Sequence, residues 1–455
     1  MELTFLGATD TVTGSKYLVS IHGLNILVDC GLYQGVKRLR ERNWQSLPID
    51  IHKIDAVILT HAHIDHSGYL PSLMKQGFTG PIYCSDGSQA LCQILLPDAG
   101  YLQEEDAKFA FKHKFSKHNP PKPLYTEQDA RQVLTQIKSV PLHQFIHLSE
   151  QKNRPVKFML TPVGHILGAC AVHIDDGHKR LVFSGDVGRY DDAIMPAPEP
   201  IERADVMVVE STYGDRLHES IDTKALLKEI ICETLARGGT ILIPAFAVGR
   251  AQLILYHIRQ LALAGEIPHV PVYLNSPMAI SATELYKKSN KQLKLDVTDC
   301  QAIDEMTNYV KTQEQSIALN EQSFPAIIIS ASGMASGGRV VHHLKSLLPN
   351  HRNSIIFAGY QATGTRGQAI VAGAATTKIH GQEIPVKAQI HNVAGLSAHG
   401  DYAEIIRWLT GLAQAPQQIY VTHGESSASD TMRKHLRDKF HCDVRVPELG
   451  ETVKI

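Results

Sequence analysis

Short apolar runs separated by turn residues fill the first two hundred positions. They are "LTFLG" at 3–7, "KYLVSI" at 16–21, "NILVDCG" at 25–31, "AVILT" at 56–60, "PIYCS" at 81–85, "VKFMLTPVG" at 156–164, "ACAVHID" at 169–175, "RLVFSGD" at 180–186 and "VMVVES" at 206–211. Runs of this length, bounded by Gly, Pro and Asp, predict strands. Helical periodicity intervenes, as at 127–139, so the pattern predicts stacked sheets covered by helices. Residues 93–123, "QILLPDAGYLQEEDAKFAFKHKFSKHNPPKP", read as an excursion closed by a Pro-rich turn.

The pattern changes after Tyr213. A helix over 221–237 leads through "RGG" to the strand "TILIPAF" at 240–246, and a further helix follows Gly249. "VPVYLNSP" at 270–277 and "PAIIISASGM" at 325–334 are apolar strands followed by loops and helices. That alternation predicts an open, mostly parallel α/β sheet of roughly 180 residues, the size of one domain. The last stretch, with "AQIHNVAGLSAHGD" at 388–401 and "QIYVTHGE" at 418–425, returns to strand–loop–helix units. No internal repeat, low-complexity tract or Gly/Ser linker interrupts the chain.

A chain of 455 residues exceeds one ordinary core, so two or three are expected. A hydrophobic share of 43% and a charged share of 20% belong to a soluble globular enzyme. The formal net charge of -1 advertises no global attraction for nucleic acid, so any polyanion site must rest on local charge. Seven cysteines without a Cys-x-x-Cys spacing fit a reducing compartment. The first residues read at once as strand and turn, without a leader, and no apolar run has membrane-spanning length. A cytoplasmic protein without a membrane segment is expected.

Several strands stop at a group able to bind metal or move a proton: Asp29, then His61, His63, Asp65 and His66 in "THAHIDH", Asp186, Glu210 and His423. His165 lies on a Gly-flanked loop between two strands. The count of 24 histidines adds weight, because neutral imidazole is the commonest side-chain metal ligand. Imidazoles with carboxylates suit a divalent ion of zinc type. Seven ligands exceed what one tetrahedral ion uses. Two ions sharing a carboxylate, about 3.5–4 Å apart, would use them all and form a clamp for phosphoryl displacement. His22, His52, His143, His147 and His178 read instead as hydrogen-bonded core or rim residues.

The His-x-His-x-Asp-His run at 61–66 resembles the signature of the metallo-β-lactamase superfamily. Asp29 in "VDCG", His165 in "GHILGA" and Asp186 in "SGDVGR" resemble its remaining upstream motifs. Glu210 in "VVESTYGDR", His399 in "LSAHGD" and His423 in "VTHGE" resemble the three motifs of its β-CASP, nucleic-acid-processing branch. "PAFAVGRAQ", "SASGMASGGR" and "GYQATGTRG" are similar to the 3′-end-processing endonucleases of that branch. The resemblance implies an αββα sandwich at 1–208 and 389–455 with an inserted parallel-sheet β-CASP domain at 209–388.

It further implies two zinc ions, with manganese an alternative in vitro. His61, His63, His165 and Asp186 would hold one; Asp65, His66, Asp186 and His423 the other. Asp29 would orient a ligand from behind. The implied chemistry is hydrolysis of single-stranded RNA by two-metal-activated hydroxide attack, endonucleolytic and also 5′→3′ exonucleolytic. Asp65 would orient or deprotonate the attacking group, and His399, supported by Glu210, would protonate the leaving oxygen. Histidine at 423 is typical of RNA-directed members, and a DNA-directed nuclease or a non-catalytic processing subunit is the alternative. The RNA is expected in an interdomain cleft. Ser332, Gly333, Thr365 and Ser397 are candidate phosphate contacts, and Arg250, Arg339 and Arg366 candidate neutralising charges. The oligomeric state stays open, a homodimer included.

Overall fold

The computed structural model describes residues 1–113, 120–149, 155–219, 222–322 and 324–455. Residues 114–119 of the expected excursion, and the expected first residue of the 221–237 helix, lie outside that set. Two compact units form. One comprises Met1–Asp192, Ala197–Leu217 and His399–Ile455, the other Ala193–Pro196 and His218–Ala398.

The first unit holds two seven-stranded sheets. One runs in the order Thr452–Lys454, Glu2–Phe5, Tyr17–Ile21, Leu24–Val28, Ala56–Ile58, Ile82–Cys84 and Ile137–Ser139. The other runs Asp443–Arg445, Gln418–Val421, Val206–Val209, Arg180–Phe183, Cys170–Asp175, Val156–Pro162 and Ile146–Ser149. Leu3, Phe5, Val19, Ile26 and Val28 pack against Phe158, Leu160, Val172, Ile174 and Phe183 in one core. Their two-residue spacing is the period at which a strand shows one face. The helix Asp86–His113 packs beside Ile137–Ser139 of the first sheet, and Tyr402–Leu409 packs on Ser426–Phe440, which lies beside Gln418–Val421 and Asp443–Arg445 of the second, in the manner of an αββα sandwich.

Strand direction places the chemistry. Leu24–Val28, Ala56–Ile58 and Ile82–Cys84 are parallel, as are Arg180–Phe183, Val206–Val209 and Gln418–Val421. Their carboxyl ends therefore fall on a common edge of each sheet. Asp29, Thr60, Ser184, Glu210 and Thr422 each stand within two residues of such an end.

Two elements differ from the expected pattern. The helix expected over 127–139 is Glu127–Val133, started by a Thr126–Asp129 capping box. A 3₁₀ turn at Leu134–Gln136 follows, and Ile137–Ser139 becomes an edge strand on Ile82–Cys84. Sheet pairing overrides helical periodicity there. The segment from 93 onward continues a single 28-residue helix, Asp86–His113, through Pro97. Buried Leu91, Leu95 and Leu96 hold the helix to the unit ahead of Pro97, and beyond it the backbone at Gly100 packs closely on Thr126.

The second unit carries a six-stranded, all-parallel sheet: Thr307–Tyr309, Val272–Leu274, Ile327–Ser330, Ile241–Pro244, Ser354–Ala358 and Gln389–Val393. Central strands such as Ile327–Ser330 and Ile241–Pro244 are buried along their whole length, which is why they read as unbroken apolar runs. A two-stranded hairpin, Thr376–Ile379 with Gln382–Pro385, stands apart from that sheet. Among the described residues, no helix is long and apolar enough to cross a membrane.

His173, on the strand Cys170–Asp175, is 2% exposed, and among the described residues neither ring nitrogen has a hydrogen-bond partner. Burial, and then the Arg180 charge, push it down to about 3. The folded chain thus holds this ring neutral, whereas the unfolded chain protonates it near 6.5. Its contribution to stability is complete above that pH and is lost as pH falls toward 3. His173→Leu should therefore raise the urea midpoint more at pH about 5 than at pH about 7.5. Equal gains at both pH values would contradict the neutral assignment.

Candidate metal centre

Five strand ends and loops of the first unit bring their side chains together. His61 Nε2 lies 3.1 Å from His63 Nδ1, and His165 Nε2 lies 3.2 Å from the same nitrogen. Asp186 Oδ2 is 3.4 Å from His61 Nε2 and 3.5 Å from His165 Nε2. On the other side of the same carboxylate, Asp186 Oδ1 is 3.3 Å from His66 Nε2 and 3.4 Å from His423 Nδ1. His66 Nε2 and His423 Nε2 are 3.2 Å apart, and His423 Nε2 is 3.4 Å from Asp65 Oδ2. The residues form two donor groups, His61–His63–His165–Asp186 and Asp65–His66–His423.

These distances fit divalent ions. Tetrahedral bonds of about 2.0–2.1 Å place donors roughly 3.3 Å from one another. Imidazole nitrogens at that spacing, with lone pairs turned inward, repel unless a proton or a cation sits among them. Asp186 Oδ1 is buried and makes no hydrogen bond among the described residues, as expected of an oxygen reserved for an ion. Oδ2 faces one group and Oδ1 the other, the arrangement that a carboxylate shared by both groups would need.

Hydrogen bonds behind the donors fix their orientation. Asp29 Oδ2 is 2.8 Å from His66 Nδ1, which leaves His66 Nε2 for the centre. The Thr60 N–H donates to Asp29 Oδ1 at 2.7 Å, the Thr60 hydroxyl donates to Oδ2 at 2.8 Å, and the same hydroxyl lies 3.1 Å from His61 Nδ1. Thr212 Oγ1 lies 3.2 Å from His423 Nδ1. The turn carrying Asp65 and His66 is held by its backbone. Ser15 N–H donates to Asp65 O and Cys30 N–H to His66 O, while a methyl group on Gly31 would sit 1.6 Å from Asp65 O. Only glycine allows that approach. Lys16, buried between the rings of Tyr33 and Tyr69, donates to Gly31 O from the other side.

Charge follows position. Burial would raise the Asp186 carboxyl, but the facing His423, His66, His61 and His399 hold it well below the usual carboxylate range. Burial and neighbouring imidazoles depress His63 to about 3, and burial with His399 lowers His165. His66 moves the other way: burial opposes its charge, yet Asp186 and Asp29 raise it. Empty of metal, the cluster would be a mixture of forced-neutral and forced-charged rings.

His399 stands beside these donors. Its Nδ1 is 3.1 Å from both oxygens of Glu210, and its Nε2 is 4.0 Å from Asp186 Oδ2. Glu210 is fixed by the N–H groups of Val187 at 2.7 Å and Thr212 at 3.2 Å. Burial opposes protonation of His399, but Glu210 and Asp186 outweigh it and raise the ring above its ordinary value.

The four candidate phosphate contacts belong to the second unit. Thr365 caps the helix Arg366–Val371, accepting from Gln368 N–H and donating to Ala362 O. Ser332 Oγ accepts from Ser336 N–H, and Ser397 N–H donates to Ala394 O. Gly333 has no room for a side chain, since a methyl group would lie 2.7 Å from the Phe246 ring. Arg250 donates to Leu396 O, Arg339 to Val310 O and Lys311 O, and Arg366 to Ala335 O and Lys378 O. Thr60, Thr212 and Lys16 escaped the sequence reading. A signal existed for Thr60: "ILTH" and "YVTH" both set threonine before the site histidine, and Thr422 likewise bonds inward, to Tyr17.

Asp29→Ala frees His66 Nδ1 and should weaken metal affinity by about 10–100-fold. Zinc competition with a chromogenic chelator measures this, and unaltered affinity would detach Asp29 from the centre.

The profile described as "Beta-lactamase superfamily domain" matches residues 24–258, "Beta-Casp domain" matches 251–370, and "Zn-dependent metallo-hydrolase RNA specificity domain" matches 383–447. "Ribonuclease TTHA0252" of Thermus thermophilus is 32% identical, with 100% of both chains covered. "Transcription termination factor FttA" of Methanocaldococcus jannaschii is 30% identical over 100% of this chain and 72% of its own length. The FttA of Cenarchaeum symbiosum is 29% identical over 100% and 71%. A protein of unknown function from Enterococcus faecalis V583 shares the fold, with TM-score 0.53, 13% identity and 99% of each chain covered. The chain is a metal-dependent hydrolase that belongs to the metallo-β-lactamase superfamily and, within it, to the β-CASP ribonucleases.

Proposed function

We propose that the protein is a zinc-dependent endoribonuclease acting on single-stranded RNA in RNA processing or decay, with 5′→3′ exonucleolytic trimming as a second mode. Residues 1–208 and 389–455 supply the nuclease fold and 209–388 the inserted β-CASP domain. The observation that carries this reading is Asp186, whose two oxygens face two separate donor groups. The fully buried thiols Cys30, Cys84, Cys92 and Cys170, none in a disulfide, accord with a reducing cytoplasm.

His61, His63, His165 and Asp186 would hold one ion, and Asp65, His66, His423 and Asp186 the other. Bound there, divalent ions supply an activated water and neutralise charge developing on a phosphodiester. The chain's own residues do the rest. Asp65, 20% exposed at its side chain, has the access to orient the attacking group or accept its proton. His399 holds a proton at Nε2, facing the reacting bond, because Glu210 anchors its Nδ1. That proton goes to the departing sugar oxygen. The names of the relatives, one a ribonuclease, favour RNA over DNA.

Incubation with end-labelled single-stranded RNA and matched DNA tests the reading. Internal cuts in RNA alone are expected, abolished by a chelator and restored by zinc. Asp65→Ala should remove turnover while the protein stays folded, and wild-type rates would refute the assignment. His399→Ala should keep its metal content yet lower kcat by about 10²–10⁴-fold. Lost metal in that variant would make His399 a ligand instead of a proton donor.

A further inference from the structure

In the second unit, basic side chains from three elements meet on an exposed surface. The rings of His342, on the helix Arg339–Leu347, and His380, in the hairpin turn, lie with centroids 4.6 Å apart and planes at 44°. Lys345 follows His342 at i+3, on the same helix face. Arg366 stands behind them, fixed by the carbonyls of Ala335 and Lys378. The charged groups that act on His380 are His342, Lys345 and Arg366, and on His342 the acting group is Lys345; all are basic. Glu383, opposite Lys378 in the hairpin, is engaged by the Thr376 hydroxyl at 3.0 Å.

The turn itself is unusual in composition. His380 has φ +48 and Gly381 φ +80, the left-handed pair of a two-residue hairpin turn, where Asn-Gly is the preferred sequence. A histidine there adds local strain and stands against a second imidazole and two cations. Such a group repels itself, and an anion laid across it adds an attractive interaction with each of its members.

We propose that His342, Lys345 and His380, backed by Arg366, bind the sugar–phosphate backbone of RNA at a surface that shares no residue with the metal centre. The inference rests on the RNA reading of that centre. An open face with donors from helix and hairpin suits an extended polyanion, since a small anion would find no enclosure. Burial and the surrounding cations hold both rings below their ordinary value, so RNA binding takes up protons.

The test uses 2′-O-methyl single-stranded RNA, which resists cleavage, at roughly 30 and about 6 nucleotides, because one site spans only a few. The variant is H342A/K345A/H380N, with asparagine keeping the left-handed turn. Fluorescence anisotropy should show the long RNA binding about 10-fold more weakly to the variant, and its log–log salt slope reduced by about 1 or more. The short RNA should bind both proteins alike. Wild-type affinity for the long RNA should rise as pH falls from about 7.5 to about 6, with a flatter response in the variant. A variant with wild-type affinity and salt slope overturns the inference. K345E alone, a single change at a half-exposed position, must weaken the long RNA as well, and unaltered binding there overturns it independently. A wild-type protein that cleaves RNA while both variants behave normally sinks this surface alone. A wild-type protein that neither binds nor cleaves RNA sinks the reading of the centre.

Discussion

One buried carboxylate organises the site. Asp186 is 2% exposed, and five imidazoles, those of His61, His66, His165, His399 and His423, have a ring nitrogen within 4.0 Å of its oxygens. An ionised carboxylate removed from water is costly unless positive charge surrounds it. The same shortage drives the histidines, because protonating all of them would crowd like charges and leaving all neutral would strand the carboxylate. In the proposed reading, a divalent ion on each side would resolve both problems at once. The hydrogen bonds behind the donors hold them at the positions that reading needs.

Backbone conformation shows what that holding involves. Asp29 and His423 both follow strand ends in the left-handed region, at φ +57 and +50, although neither is glycine. Each such residue carries strain of the order of 1 kcal/mol or more. The strain is balanced by hydrogen bonds that a relaxed turn would lose. His423 N–H donates to Ala8 O, itself left-handed at φ +52, and His423 O accepts from Ser211 N–H. Asp29 N–H donates to Ile58 O, so the residue that orients His66 is anchored to the strand that launches His61. Sheet hydrogen bonding and ligand geometry are therefore one network.

That coupling explains what could be read beforehand. Strand ends carrying Asp29, Asp186, Glu210 and His423 were legible because a buried parallel strand leaves an apolar run of four or so residues, and the run's end is the edge of the sheet. The all-parallel sheet of the second unit was legible for the same reason. Residues 134–139 were not, since Ile137 serves as well for a helix face as for an edge strand, and only its pairing with Ile82 decides. The segment from 93 misled in the other direction, since its mixed composition suggested an excursion, whereas one helix runs on through Pro97 to His113. Thr60 and Thr212 were harder to read for a subtler reason. A threonine hydroxyl, next to a site histidine as at 60 or far from one in sequence as at 212, gains meaning only once the ring nitrogen it faces is known.

The Gly-rich segments of the second unit make the converse point. Serine, threonine and glycine are the residue types that cradle phosphate, and they are also those that start helices and close turns. In the described structure Thr365 spends its hydroxyl on a helix start, and Gly333 is demanded by the Phe246 ring. Arg339 and Arg366 spend donors on carbonyls of their own unit. A phosphate could still reach backbone N–H groups there, but the segments' composition is already accounted for by folding. His342 and His380 differ, because two tilted imidazoles with centroids 4.6 Å apart stand beside each other among like charges. Where residue types serve local structure, their presence says little about ligands; where they oppose it, the ligand becomes the simpler physical account.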